Sequence, residues 1–124
     1  MKSNTFFSFL LLLLMLSLIA SCSSAPSDDN IKMAITQALE KRVPVSWSGS
    51  LMGGKNAEIE LIEIIDIGNQ NEKGKFWPVK ARVKGTCEAD LLVRKELSHF
   101  DKTGIFRIYH DEFANWKADF NQFQ

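Results

Sequence analysis

The sequence has no excess of charge: 15 Lys and Arg stand against 15 Asp and Glu, and the formal net charge is zero. A neutral chain has no global electrostatic claim on nucleic acid. Histidine is scarce, with only His99 and His110, and two imidazoles alone do not supply the three or four side chains of a metal centre. Cysteine occurs twice, as Cys22 and Cys87, so no disulfide framework carries the fold. Stability must come from an apolar core, which about 100 residues can supply. There is no internal repeat and no long low-complexity stretch. Charge is also missing locally, since Lys2 is the only charged side chain before Asp28.

That uncharged segment is the most informative part of the chain. Residues 6–20 are apolar apart from Ser8 and Ser17, with an unbroken leucine run at 10–14. A bilayer-spanning helix needs roughly 20 apolar residues. This run is shorter and small residues follow it, the pattern of a cleaved signal peptide. Ile19-Ala20-Ser21-Cys22 then resembles the lipobox of bacterial lipoproteins, with Ile19 where Leu is usual. The resemblance implies cleavage between Ser21 and Cys22 and a diacylglyceryl thioether on Cys22, usually with an added palmitate-type N-acyl chain. Two or more acyl chains give stable membrane attachment. Ser23, where an inner-membrane lipoprotein carries Asp, implies the outer membrane facing the periplasm in a Gram-negative cell. The alternatives are an ordinary secretory signal cut nearby and a retained transmembrane anchor. With Cys22 acylated, Cys87 has no partner for an intrachain disulfide.

The chain therefore divides into a signal peptide at 1–21, a tether at 22–30 rich in Ser, Asp and Pro, and a single domain at 31–124. Ser27 or Asp28 can cap a helix whose positive end suits Asp28 and Asp29. Ile31, Ala34, Ile35, Ala38 and Leu39 fall at helical spacing, Lys41 and Arg42 suit the negative end, and Pro44 stops it. The spacing predicts an amphipathic helix over 29–42. Residues 45–56 are rich in Ser and Gly and read as a loop, pinned to the body by Trp47.

From Ala57 the period becomes two. Ile59, Leu61, Ile65 and Ile67 share one face, and Glu58, Glu60 and Asp66 the other, while Glu63 and Ile64 break the pattern and leave room for a bulge. Residues 68–74 form a turn. The next strand alternates cleanly: Val79, Ala81, Val83, Gly85, Cys87 and Ala89 on one face, Lys80, Arg82, Lys84, Thr86, Glu88 and Asp90 on the other. A turn centred on Glu72 sets Leu61 opposite Val83 and Glu60 opposite Lys84. Residues 105–110 and 115–120 are two further strands joined by a turn at 111–114. They bring Phe106, Ile108, His110, Trp116, Ala118 and Phe120 to one face. Residues 91–103 fit either an extended arm or a long loop.

The sum is an α+β fold: one N-terminal amphipathic helix packed on a curved antiparallel sheet of about four strands. The stretch from Trp77 to Gly85, then Phe106-Arg107-Ile108-Tyr109-His110-Asp111-Glu112 and Trp116, resembles small exported bacterial proteins of the cystatin-like and nuclear-transport-factor-like group. Those folds host enzymes, binding proteins, inhibitors and assembly modules, so the resemblance carries over no functional residue.

Candidate chemistry is sparse. Gly49-Ser50-Leu51-Met52-Gly53-Gly54-Lys55 matches seven positions of a phosphate-binding loop. Asn56 stands where Ser or Thr should hold Mg²⁺, and a strand pattern follows where a helix is needed. His99 with Asp101, and His110 with Asp111 and Glu112, have the residue types of metal or acid–base chemistry, but a hydrogen-bonded histidine at a sheet rim is the commoner outcome. Cys87 lies in the apolar phase of its strand, where cysteine behaves as a small hydrophobe rather than a nucleophile.

Two surfaces remain. Lys80, Arg82 and Lys84 form a basic stripe, neutralised in part by Glu58 and Glu60, that with Ile62 and Ile64 offers a contact surface. Trp77, Tyr109, His110 and Trp116 could line a cleft between helix and sheet. The expectation is a membrane-anchored, non-enzymatic binding or assembly module of the cell envelope. It needs no metal or other cofactor, and its partner is an envelope protein, glycan or small molecule. A small-molecule pocket protein, with or without enzymatic activity, and an inhibitor of an exogenous hydrolase are the alternatives.

Overall fold

A computed structural model describes residues 24–91 and 93–120 of the chain. The first helix among these residues, α1, covers Asp28–Lys41 and so starts inside the segment expected to be tether. The Ser27 hydroxyl accepts a hydrogen bond from the Asn30 amide at 3.2 Å, satisfying one of the helix's unpaired amides. Asp28 and Asp29 sit in the first turn and Lys41 in the last, matching the helix dipole. Ile31, Ala34, Ile35 and Leu39 are buried. The helix stops one residue before the expected end. Pro44 biases Val43 towards extended backbone, and Val43 bridges Gly54 through two hydrogen bonds of 2.8 and 3.1 Å.

The expected loop at 45–56 is more ordered than its composition suggests. Val45–Ser48 forms a one-turn helix, α2, closed by Gly49 in the left-handed conformation. Trp47 is buried and lies within about 6 Å of the rings of Phe100, Phe106 and Phe120. The first strand already begins at Gly54.

Four strands follow: β1 Gly54–Ile67, β2 Phe76–Leu91, β3 Arg94–His110 and β4 Trp116–Phe120. They form one antiparallel sheet in the order β1-β2-β3-β4. The segment 91–103, open between arm and loop in the sequence, is an arm: β3 pairs with β2 in an unbroken register from Phe76 opposite Tyr109 to Leu91 opposite Arg94. α1 lies on one face of the sheet and joins Val79, Ala81, Val83, Cys87, Phe100, Phe106 and Ile108 in a single core.

β1 departs most from its expected pairing. Register shifts fall between Lys55 and Glu58, Ile59 and Leu61, and Ile64 and Asp66. Each bulge adds a residue and moves later side chains to the other face. Ile62, not Leu61, stands opposite Val83, and Leu61, not Glu60, opposite Lys84. Ile59, Ile62 and Ile64 therefore pack against the core, whereas Leu61 and Ile65 are 44% and 49% exposed. Gly85 makes the first half of this pairing possible. A side chain there would run into the Glu58 carbonyl oxygen and approach the Phe100 ring at 3.1 Å.

Candidate functional site

Of the four residues read from the sequence as a cleft, Tyr109 and Trp116 border open space between helix and sheet, and Trp77 and His110 do not. Trp77 is buried and meets Trp116 edge to face at 5.6 Å. His110 stands opposite Trp116 on β4, and its ring lies 3.6 Å from the Trp116 ring. These three form an aromatic cluster at the β3–β4 end of the sheet. Tyr109 alternates away from it, opposite Lys117. Burial raises the Tyr109 phenol above its ordinary pKa, with Asp119 and Asp111 adding to the rise.

That open space lies along the seam between α1 and β4. A cavity of about 240 Å³ is lined by Ala34, Gln37, Ala38 and Lys41 of α1 and by Tyr109 and the last four residues of β4. A second, of about 420 Å³, is lined by Asn30, Met33 and Gln37 and by the β3–β4 turn with Trp116 and Lys117. Gln37 and Lys117 border both, so the two are neighbouring stretches of one groove. Tyr109 and Trp116 thus belong to the groove, while Trp77 and His110 border neither cavity. This seam is invisible in the sequence because it joins the two ends of the domain.

The centre of the basic stripe is engaged. Arg82 donates two hydrogen bonds to Asp101, of 2.8 and 2.7 Å, and approaches Glu63 at 3.7 Å. These bonds push the guanidinium pKa up and hold the Asp101 carboxyl below its usual range, with Lys84 contributing to the latter. Asp66 stands opposite Lys80 and Asp101 opposite Lys84. The face is a lattice of alternating charge rather than a free cationic strip. Its neutralising carboxylates are Glu63, Asp66 and Asp101 rather than Glu58 and Glu60, because the bulge at Glu60 shifts β1 by one residue. Ile62 and Ile64 likewise turn inward and add nothing to that outer face.

His99 and His110 are separated by eleven residues of β3, about 35 Å along an extended strand. Asp101 holds Arg82. The Asp111 carboxylate accepts hydrogen bonds from the amides of Phe113 and Asn115, both at 2.9 Å. These two bonds, Asn115's foremost, keep its pKa low. Cys87 is buried in the core, and burial pushes its thiol pKa up. Among the described residues no group of three or more His, Cys, Asp or Glu is placed to hold a metal ion. The phosphate-loop-like segment at 49–55 leads straight into β1, with no helix N-terminus behind it.

No known protein family, curated protein or solved structure matches this chain. The site therefore has to be read from its own geometry. Among the described residues no helix is long and apolar enough to cross a membrane. Ser21 and Cys22, the expected cleavage and lipidation residues, lie outside the described residues.

Proposed function

We propose that the chain is a lipoprotein of the bacterial cell envelope, anchored through acylated Cys22, whose domain is a non-enzymatic binding or assembly module. The observation that carries the anchor is Ile19-Ala20-Ser21-Cys22 directly after a short apolar run behind a single lysine. The placement of α1 fits it. Pro26 is buried and the helix starts at Asp28, so only a few residues separate the lipid from the folded body. Ser23 favours the outer membrane, facing the periplasm. The binding-module reading rests on how the reactive side chains are spent: Asp101 on Arg82, Asp111 on a turn, His110 against Trp116 and Cys87 inside the core.

The finer fold reading is a curved, cystatin-like sheet wrapped around α1. Trp47 meets Phe100 at 5.7 Å and Phe106 at 6.0 Å, although six residues of straight strand cover about 20 Å. On this reading β3 bends around the indole so that both rings reach it, and the bulges of β1 supply matching curvature at the neighbouring edge.

The anchor is tested by metabolic labelling with a fatty acid. Label should enter the wild-type chain, and Cys22→Ser should abolish it and release the domain from membranes or block its processing. A wild-type chain that takes up no label and fractionates as soluble refutes the reading. The second reading, a small-molecule pocket, is favoured by the α1–β4 groove with Tyr109 and Trp116 on its walls. It predicts that a ligand perturbs Trp116 fluorescence and that Gln37→Trp, which fills the groove, removes the response.

A further inference from the structure

At the end of the molecule where α1 finishes, one loop is built inside out. Ser48 and Ser50 are buried, whereas Leu51 is 95% and Met52 60% exposed. The serines are fixed by hydrogen bonds: the Ser50 amide donates to the Ser48 hydroxyl at 3.2 Å, and the Ser50 hydroxyl donates to the Asp90 carbonyl at 2.6 Å. The Gly53 amide closes the turn on the Ser50 carbonyl at 3.0 Å. The bond to Asp90 ties this loop to the end of β2, three residues before Val93, which is 96% exposed. Leu51 and Val93, almost wholly in water, thus stand at the same end of the molecule, on either side of the Ser50–Asp90 bond.

We propose that this loop and the β2–β3 turn form an apolar tip that inserts into the interfacial layer of a lipid bilayer. A side chain exposed to this degree is a knob. A protein partner must offer a matched socket for it, whereas the acyl boundary of a bilayer accepts Leu, Met and Val without one. The flanking charges do not oppose an anionic headgroup layer: Arg42, Arg94 and Lys95 stand against Asp90 and Glu96, with Arg94 held by Glu96 at 2.6 Å and Lys95 opposite Asp90. Asp90 and Glu96 keep the collar near balance, so insertion depends on the apolar side chains more than on salt-sensitive attraction.

The reach of a membrane rests on the lipid-anchored reading; the insertion does not. α1 runs from the tether to the tip, since Val43, two residues past its end, bridges Gly54 beside the loop. Its 14 residues span about 21 Å, and the four residues from Cys22 to Ala25 reach at most about 14 Å. Both ends meet one lipid surface when α1 lies along it. The anchor would then hold the tip at high effective concentration, and the tip would fix the orientation of the domain and the side its groove presents.

The test uses the full chain reconstituted with vesicles of phosphatidylethanolamine and phosphatidylglycerol. A polarity-sensitive fluorescent residue replaces Val93, or, as control, Thr103 on the sheet face away from α1. Quenching by aqueous iodide should fall several-fold at position 93 on vesicle binding and stay unchanged at 103. Leu51→Asp with Met52→Asp, both on exposed positions, should restore it. A chain that floats with the vesicles while position 93 stays open to iodide overturns the tip and leaves the anchor standing. A chain that fails to float overturns both. Shielding of position 93 that rises with protein concentration in the absence of lipid assigns the tip to a second copy and overturns the lipid assignment.

Discussion

Arg82 on β2 reaches diagonally to Asp101 on β3, whose direct partner in the ladder is Lys84, and the two are joined by two hydrogen bonds, of 2.8 and 2.7 Å. The pair is two-pronged and solvent-exposed, a geometry in which specificity of register counts for more than energy. It turns the centre of a basic stripe into a locked cross-strand contact.

A double-mutant cycle of Arg82→Ala and Asp101→Ala should reveal a favourable coupling at neutral pH that weakens with added salt. The Asp101 carboxyl has a depressed pKa in the folded state. Its contribution is therefore complete above the ordinary carboxylate range and disappears as pH falls through the depressed value. Urea melts of the four proteins at neutral and acid pH check this, and a coupling that survives full protonation of Asp101 contradicts it.

Cys87 should be unreactive in the native protein and fully reactive after unfolding, because 1% of its surface is accessible. The raised thiol pKa keeps it protonated and places any loss of stability from thiolate formation at alkaline pH, beyond the ordinary thiol range. Cys87→Ala should cost about 1 kcal/mol. Cys87→Asp should cost far more, because a buried carboxylate must be desolvated or protonated. Thiol-labelling rates and denaturant melts decide it; equal stability of the two variants is the contrary result.

Gly85→Ala should be among the most damaging single-atom additions to this chain. The new methyl group would press on the Glu58 carbonyl, which is backbone and cannot swing aside, and on the Phe100 ring. A loss of about 3 kcal/mol or more is expected. A melt shifted by less than about 1 kcal/mol would mean that β1 does not approach β2 so closely there.

In the β3–β4 turn Ala114 has a φ of 59°, which a side chain disfavours. Ala114→Gly should stabilise the protein by about 0.5 kcal/mol, the relief of strain outweighing the added freedom of the unfolded chain. Asp111→Ala removes the acceptor for the Phe113 and Asn115 amides and should speed hydrogen exchange at both. Unchanged exchange at those two amides would show that the turn closes without the carboxylate.

Several elements are legible in the chain's local patterns. The Ser27 cap, the helical spacing of Ile31, Ala34, Ile35 and Leu39, and the strict alternation from Val79 to Ala89 are signals carried by neighbours in the chain. The turn between β3 and β4 and the shared face of Phe106, Ile108, Trp116 and Phe120 are readable for the same reason. The candidate site is less legible. Tyr109 and Trp116 stand out as unusual residues, but the groove they share with Gln37 exists only where α1 crosses β4.

What the sequence by itself determined is the content of the helix, the buried face of β2 and the apolar composition of the core. Tertiary structure decided which side of β1 faces inward. A bulge displaces the period by one residue and leaves no mark in composition, and only pairing with β2 fixes where Glu60 is left over. It also made a strand of 94–103, whose own residues do not alternate, because the hydrogen bonds come from β2 across the hairpin. It set buried serines beneath exposed Leu51 and Met52 as well, since the Asp90 carbonyl that holds Ser50 lies 40 residues further along the chain.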